Sequence, residues 1–350
     1  MTQKHYNTFI GIDVDKKSYS FTIKDFNIMK KSKRIPANPE NLYNYIKKTY
    51  HTQQVICAYE AGPTGFNLYD YLTEKEIPCL VVSPLSIPHA PNERVKNNRI
   101  DSEKITHYLS TGKLKSIRVP QGAYRELRHL VKIRENYAAS RKTAKQRIKA
   151  LLLSTSLHSA FKDPRKKWSR AYITELKQVQ CPPAVRTRLN MLIMDLNYAR
   201  KNTLSIHRTI RTFCKNNKEI GRDVNYLQSI PGIGFITSVT ILGKIGDPKQ
   251  LKDVREIASF VGLVPTERST GDSIKQGSIT HLGNQTLRFL LIEAAWVAIR
   301  HNTELCQFFH RIRMRNNPKV ASRKAIVAVA RKLTQRIYRI LKDQREYINY

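Results

Sequence analysis

Three acidic residues stand where a metal-assisted reaction on phosphate would need them. Asp13 closes the apolar segment "FIGIDVDKK", and Glu60 closes another, "VICAYEAG". Acidic residues are disfavoured inside strands, so their place at the ends of two strand-like segments is informative. If the two strands are neighbours, both carboxylates face one edge of a sheet. Asp101 opens a helix-like segment, "DSEKITHYLSTG", and could complete the group. Clustered carboxylates bind Mg2+ through hard oxygens and leave positions for water and phosphate oxygens. Two such ions stabilise both the attacking and the leaving oxygen of a phosphoryl displacement. Each acid alone reads as a turn residue or a helix cap. Three together, in a chain this basic, read as a metal site. Lys96 and Arg99, just upstream of Asp101, would meet a phosphate backbone.

Two later stretches offer different chemistry. In "LQSIPGIGFITSVTIL", Pro231, Gly232 and Gly234 make a tight turn into a helix. Backbone N–H groups at such a helix start favour a phosphate, as in a helix–hairpin–helix element; a plain connection between helices is the alternative. In "FVGLVPTERSTGDSIKQGSITHLGNQTLRFLL", a loop rich in Ser, Thr and Gly lies between two helices. Ser269 or Thr270, beside Gly271, could serve as a hydroxyl nucleophile. Arg268, Lys275, His281 and Arg288 are close in sequence and could hold a phosphate and its developing charge. Taken alone, the same stretch reads as a surface loop.

The elements that must position these residues change along the chain. "NTFIGIDVD" and "SYSFTIKDF" read as a hairpin, "QQVICAYEA" as a third strand and "IPCLVVSP" as a fourth. Helical spacing follows the turn "GPTG", and the helix that carries Asp101 ends at Gly112. This is the order of a mixed α/β sheet with helical cover. From about Gln121 the strand signal stops, and "AYRELRHLVKIRENYAASRKTAKQRIKALLLS" has helical periodicity. A second long helix starts near Ala184, where Leu189, Leu192, Leu196, Ala199, Ile206, Ile210 and Phe213 form a heptad seam interrupted at Thr203. The seam fits either two antiparallel helices of one chain or a dimerising coiled coil. From about Val224 the chain is mostly helical. The boundaries read as 1–118, 119–223 and 224–350.

Composition narrows the partner. The 350 residues carry 62 Lys plus Arg against 27 Asp plus Glu, a net charge of +35. Such self-repulsion calls for a polyanion, and nucleic acid is the default. At 41% hydrophobic residues the chain is no disordered tail. The five cysteines are odd in number and form no Cys-x-x-Cys pair, which points to reduced thiols in a cytoplasmic protein. "MTQKHYNTFIGIDV" lacks the features of a signal peptide, and no run is long and apolar enough for a membrane span.

Taken in order, these stretches resemble one family. It is the bacterial insertion-sequence transposases of the one-hundred-and-ten type, or DEDD transposases, which include the Piv-like invertases and the bridge-RNA-guided recombinases. "FIGIDVDKK", "AYEAGPTGF" and "VKNNRIDSEKI" resemble its acidic motifs. "SIPGIGFITSVTIL", "FVGLVPTERSTG", "GSITHLGNQTLRFLLIEAAW" and "RKAIVAVARKL" resemble successive blocks of its C-terminal domain. The resemblance implies an RNase H-like, RuvC-type N-terminal domain, a helical coiled-coil middle and a helical C-terminal domain with a catalytic Ser. It implies that Asp13, Glu60 and Asp101 bind Mg2+. It also implies that Ser269, or Thr270 in the alternative register, attacks a DNA phosphate. Partners implied are DNA (element ends and target), a structured guide RNA and further copies in a homodimer or homotetramer, in a nucleoid-associated setting. One position departs from the pattern. Asn98 stands where the family carries its third acid, and its amide oxygen is a metal ligand without a charge. Two readings compete with a recombinase. A RuvC-type structure-specific endonuclease would use the acids without the Ser. A catalytically weakened protein would hold RNA and DNA without cutting.

Overall fold

The computed structural model describes residues 6–26, 28–84, 87, 98–160, 168–267, 276–280 and 282–348. The chain divides into two compact units, Met1–Val119 and Pro120–Tyr350.

In the first unit, β1 (Thr8–Val14) and β2 (Ser18–Asp25) form an antiparallel pair whose consecutive residues are buried because helices cover both faces. They are followed by β3 (Ile28–Pro36), α1 (Pro39–Thr49), β4 (Val55–Glu60), α2 (Asn67–Glu74), β5 (Cys79–Val82) and α3 (Asn98–Ser110). The order across the sheet is β3-β2-β1-β4-β5, with β3 antiparallel to β2, and with β4 parallel to both β1 and β5. Side chains alternate between the faces. Ile10, Ile12, Cys57 and Tyr59 pack with Leu42 and Ile46 of α1 and Leu68 and Leu72 of α2. Ala58 and Val82 pack on the other face with Ile105 and Leu109 of α3.

β3 and α1 are not apparent in the sequence. β3 reads "IMKKSKRIP" and is largely exposed, because it is an edge strand. Lysines on an edge discourage pairing with other chains, and the same lysines hide the strand from a hydrophobicity reading.

The second unit is mostly helical. It contains α4 (Gly122–Ser154), α5 (Arg170–Gln178), α6 (Pro183–Asn216), α7 (Lys218–Gln228), α8 (Phe235–Ile245) and α9 (Val254–Val261). A two-stranded ribbon, β6 (Pro265–Glu267) and β7 (Gln276–Ile279), comes next. α10 (Gln285–His301), α11 (Thr303–Met314) and α12 (Pro318–Asp343) complete it. The ribbon lies where the sequence suggests only a loop.

The heptad seam of α6 is buried within the chain. Leu189, Leu192 and Leu196 pack with Ile148 and Leu152 of α4. Ile206 and Ile210 pack with Leu127 and Val131, nearer the start of α4. The two long helices therefore form an antiparallel pair. Thr203 is accommodated in the seam because its hydroxyl donates to the Ala199 carbonyl at 2.7 Å. The expected regions 119–223 and 224–350 share one hydrophobic core, which joins Leu127 and Ile210 to Val224, Leu291 and Leu333. No helix among the described residues is long and apolar enough to cross a membrane.

Candidate active site

Strand register brings two of the three acids side by side. Ile12 of β1 is the parallel partner of Tyr59 of β4, so the next residues, Asp13 one before the end of β1 and Glu60 at the end of β4, lie side by side on adjacent strands. Alternation puts both on the α3 face, since Ala58 faces α3 while Ile12 and Tyr59 face α1 and α2. Both acids are half-buried.

A set of small polar contacts fixes α3 over this face. A β-carbon on Gly11 would lie 2.4 Å from the Thr106 backbone nitrogen, so only glycine admits the helix here. Gly11 N donates to Thr106 Oγ1 at 2.9 Å. Ser102 Oγ lies 2.9 Å from Thr22 Oγ1 and 3.1 Å from Ser32 Oγ. Lys24 Nζ donates to Ser110 Oγ at 3.2 Å. Ser102 thus sits over Thr22, the partner of Gly11, while Ser110 sits toward the start of β1. The helix runs against β1, and its first turn overhangs the end that bears Asp13. Asp101 lies in that turn and is half-buried, while Asn98 at its start is exposed. Three residues apart, Asn98 and Asp101 share a face of the helix.

The donors available at this edge are carboxylate oxygens and one amide oxygen, the chemistry that suits a hard divalent cation. Among the described residues, however, no three His, Cys, Asp or Glu side chains are gathered closely enough to hold a metal ion. The fold brings the acids to one edge and one face without closing them on a point. Other nearby acids are engaged elsewhere. Glu103 pairs with Arg99 at 3.4 Å, and Asp15 accepts from the Lys16 backbone N–H at 2.6 Å.

The remaining residues singled out in the sequence fall differently. Gly232 has φ 87°, and a β-carbon there would lie 2.2 Å from the Ala294 carbonyl oxygen, so it packs the turn against α10. Gly234 caps α8 and has open space around its α-carbon. Arg288 is half-buried and donates to the Val261 carbonyl at the end of α9, at 3.0 Å. Lys96, Arg268, Ser269, Thr270, Lys275 and His281 lie outside the described residues. The segment 268–275 joins β6 to β7, whose partners Glu267 and Gln276 bracket it. Ser20 and Arg34 are not singled out by any sequence signal. They are paired across β2 and β3, and Ser20 is also the partner of Asp13. Only recognition of the lysine-rich edge strand would have found them.

Comparison with known proteins places the chain among transposases. A transposase family model of the DEDD type matches residues 10–157, which hold all three acids. A second, described as "Transposase IS116/IS110/IS902 family", matches residues 224–311, from within α7 to within α11. The "Putative transposase y4qE" of Sinorhizobium fredii is 29% identical over 293 residues, 82% of this chain and 71% of that protein. The "Transposase for insertion sequence element IS1111A" of Coxiella burnetii is 27% identical over 226 residues, 64% of this chain and 60% of that protein. The "Pilin gene-inverting protein" of Moraxella bovis is 30% identical over 131 residues, 37% of this chain and 40% of that protein. The chain belongs to the IS116/IS110/IS902 family of transposases, enzymes of DNA recombination.

Proposed function

We propose that this transposase cuts and rejoins DNA strands at the sheet edge formed by Asp13, Glu60 and Asp101, together with a hydroxyl nucleophile at Ser269 (Thr270 in the alternative register). The observation that carries this reading is the register of β1 and β4, which sets Asp13 beside Glu60 under the first turn of α3. The strand order β3-β2-β1-β4-β5, antiparallel on one side and parallel on the other, supports an RNase H-like, RuvC-type domain. The oxygen donors of Asp13, Glu60, Asp101 and Asn98 would hold Mg2+. When bound, the ion supplies charge stabilisation for oxygens on a phosphoryl group in transfer. The chain's own part is to orient the strand and to provide the hydroxyl. Attack by the Ser269 oxygen on phosphorus forms an ester and breaks the bond to a deoxyribose oxygen, which leaves as a hydroxyl. The ester keeps the bond energy for rejoining.

Lys96, Arg99, Arg268 and Lys275 are assigned to phosphate contacts. Gly234 lets DNA backbone approach the start of α8, as in a helix–hairpin–helix element, while Gly232 and Arg288 hold the surrounding turns. A structured RNA from the element pairs with both DNAs and reads the sequence, as the family resemblance implies. The protein acts as a homodimer or homotetramer on a Piv-like plan, in the cytoplasm at the nucleoid. Exposed Met191, Met194 and Tyr198 on α6 support self-association.

The test uses the full chain in a bacterium carrying its own element. Asp13→Asn and Glu60→Gln are expected to lower the yield of recombined junctions by more than about 100-fold while DNA occupancy is kept. Junctions at the wild-type level would overturn the metal site. In purified protein, a covalent DNA adduct lost in Ser269→Ala and kept in Thr270→Ala assigns the nucleophile. The reverse pattern moves it to Thr270, and an adduct that survives both changes overturns this part of the reading.

A further inference from the structure

We infer that the α3-facing side of β2 and β3 is a phosphate subsite for the strand being cut, with Arg34 as its principal cation. This rests on the reading of Asp13 and Glu60 as the cutting site.

The residues form one row across the sheet. Arg34 on β3 is the partner of Ser20 on β2, and Ser20 is the partner of Asp13 on β1. Glu60 on β4 continues the row by parallel register. All four lie on the α3 side. Thr22 and Ser32, each two residues from a member of the row, meet at 2.5 Å and both contact Ser102 of α3. Under the first turn of α3 the row opens into a cleft lined by Ser20, Ser32, Lys33, Arg34, Asn98 and Arg99.

The cations of that cleft are not equivalent. Lys33 Nζ lies 4.6 Å from the centre of the Tyr45 ring, and Tyr45 packs on the opposite face, so its charge is held there. Arg99 is in an exposed pair with Glu103. Arg34 Nε donates to Ser18 Oγ at 2.8 Å, which orients the guanidinium. That bond uses one of its five donors. Among the described residues, no carboxylate pairs with Arg34. A planar fork of donors fixed at one nitrogen suits a phosphate, which accepts two of them at once.

The spacing suits one polynucleotide. Arg34 and Asp13 are two strands apart, roughly 10 Å between backbones. A strand crossing the row from β4 to β3 would place one phosphate at the acids and a phosphate one or two nucleotides away at Arg34. The hydroxyl of Ser20, 7% exposed, lies between them as a neutral donor. Acids where the phosphate reacts and a cation where its neighbour rests give the strand a direction.

The test is binding of the full-length protein, with the element's own transcript present, to labelled DNA carrying the element end. Single phosphates near the cut are replaced, one position at a time, by neutral methylphosphonates. Wild type is expected to lose about tenfold in affinity at one or two adjacent positions. Arg34→Gln is expected to lose about tenfold on native DNA and nothing further at those positions, with its salt slope reduced by about one. Arg34→Lys recovers part of the loss. Gln can keep the bond to Ser18, and unchanged melting temperatures confirm that the variants are folded. Wild-type affinity in Arg34→Gln, or losses that multiply at every position, would overturn the subsite. Normal cutting by Asp13→Asn would instead overturn the reading of the acids, because the interference pattern is read from binding alone.

Discussion

Asn98 is one residue whose chemistry sets how the proposed metal site behaves. It shares a helix face with Asp101 and would offer a carbonyl oxygen, but no charge, to the proposed cation at the sheet edge. A carboxylate there would add Coulombic attraction and one more hard ligand. Asn98→Asp is therefore expected to lower the Mg2+ concentration needed for half-maximal strand cutting, measured on DNA carrying the element ends. Equal Mg2+ dependence of the two proteins would show that Asn98 does not limit the site. Glu103 cannot supply the missing acid. It lies two positions from Asp101 and is paired with Arg99.

Among elements, α3 depends on a single glycine. Gly11 brings the helix backbone against β1, and the helix in turn carries Asp101 in the turn over the sheet edge that bears Asp13 and Glu60. Gly11→Ala forces a β-carbon to within 2.4 Å of the Thr106 backbone. The variant should lose about 1–3 kcal/mol in denaturant unfolding, with strand cutting reduced before the fold is lost. Unchanged stability would mean that the helix can shift freely.

A second element contact concerns α4 and α7, where Tyr124 OH donates to Asp223 Oδ2 at 2.8 Å. Burial pushes the Asp223 carboxyl above its ordinary range, despite the opposing pull of Tyr124 and Arg222. The folded state thus binds this proton more tightly than the unfolded chain. The group's contribution to stability therefore falls as pH rises from the ordinary aspartate range through the raised folded value. Tyr124→Phe leaves the buried carboxylate short of a donor, at about 1–3 kcal/mol near pH 7. Thermal melts should show that deficit narrowing as the pH is lowered toward the ordinary aspartate range, because the folded carboxyl takes up its proton before that range is reached. A deficit that widens in acid would contradict the assignment.

Across the whole molecule, the two long helices of the second unit decide what the heptad seam is for. Leu189, Leu196 and Ile210 are fully buried by α4 of the same chain. Leu196→Ala should lower stability by about 2–5 kcal/mol without changing the oligomeric mass in solution. Dissociation of an assembly with unchanged unfolding would mean that this seam joins copies instead. The proposed self-association would then use the outer face of α6, where Met191, Met194 and Tyr198 are exposed.

From the sequence alone, a polyanionic partner, chemistry on nucleic acid and most of the elements could be expected. Sixty-two cations against 27 acids call for a polyanion, and acids are disfavoured inside strands, so three of them at the ends of elements stand out together. Strand and helix periodicity is local, so β1, β2, β4, α4 and α6 were legible from neighbouring residues. What depends on residues far apart in the chain is visible only once the strands are paired. Parallel pairing set Asp13 beside Glu60 across a gap of 47 positions, and a contact between Gly11 and Thr106 chose the face. β3 stayed hidden because an exposed edge is built from the residues that make a loop look like a loop. With β3 hidden, Arg34 was hidden as well. Its place in the row with Ser20 and Asp13 exists only in the hydrogen-bonded register of three strands.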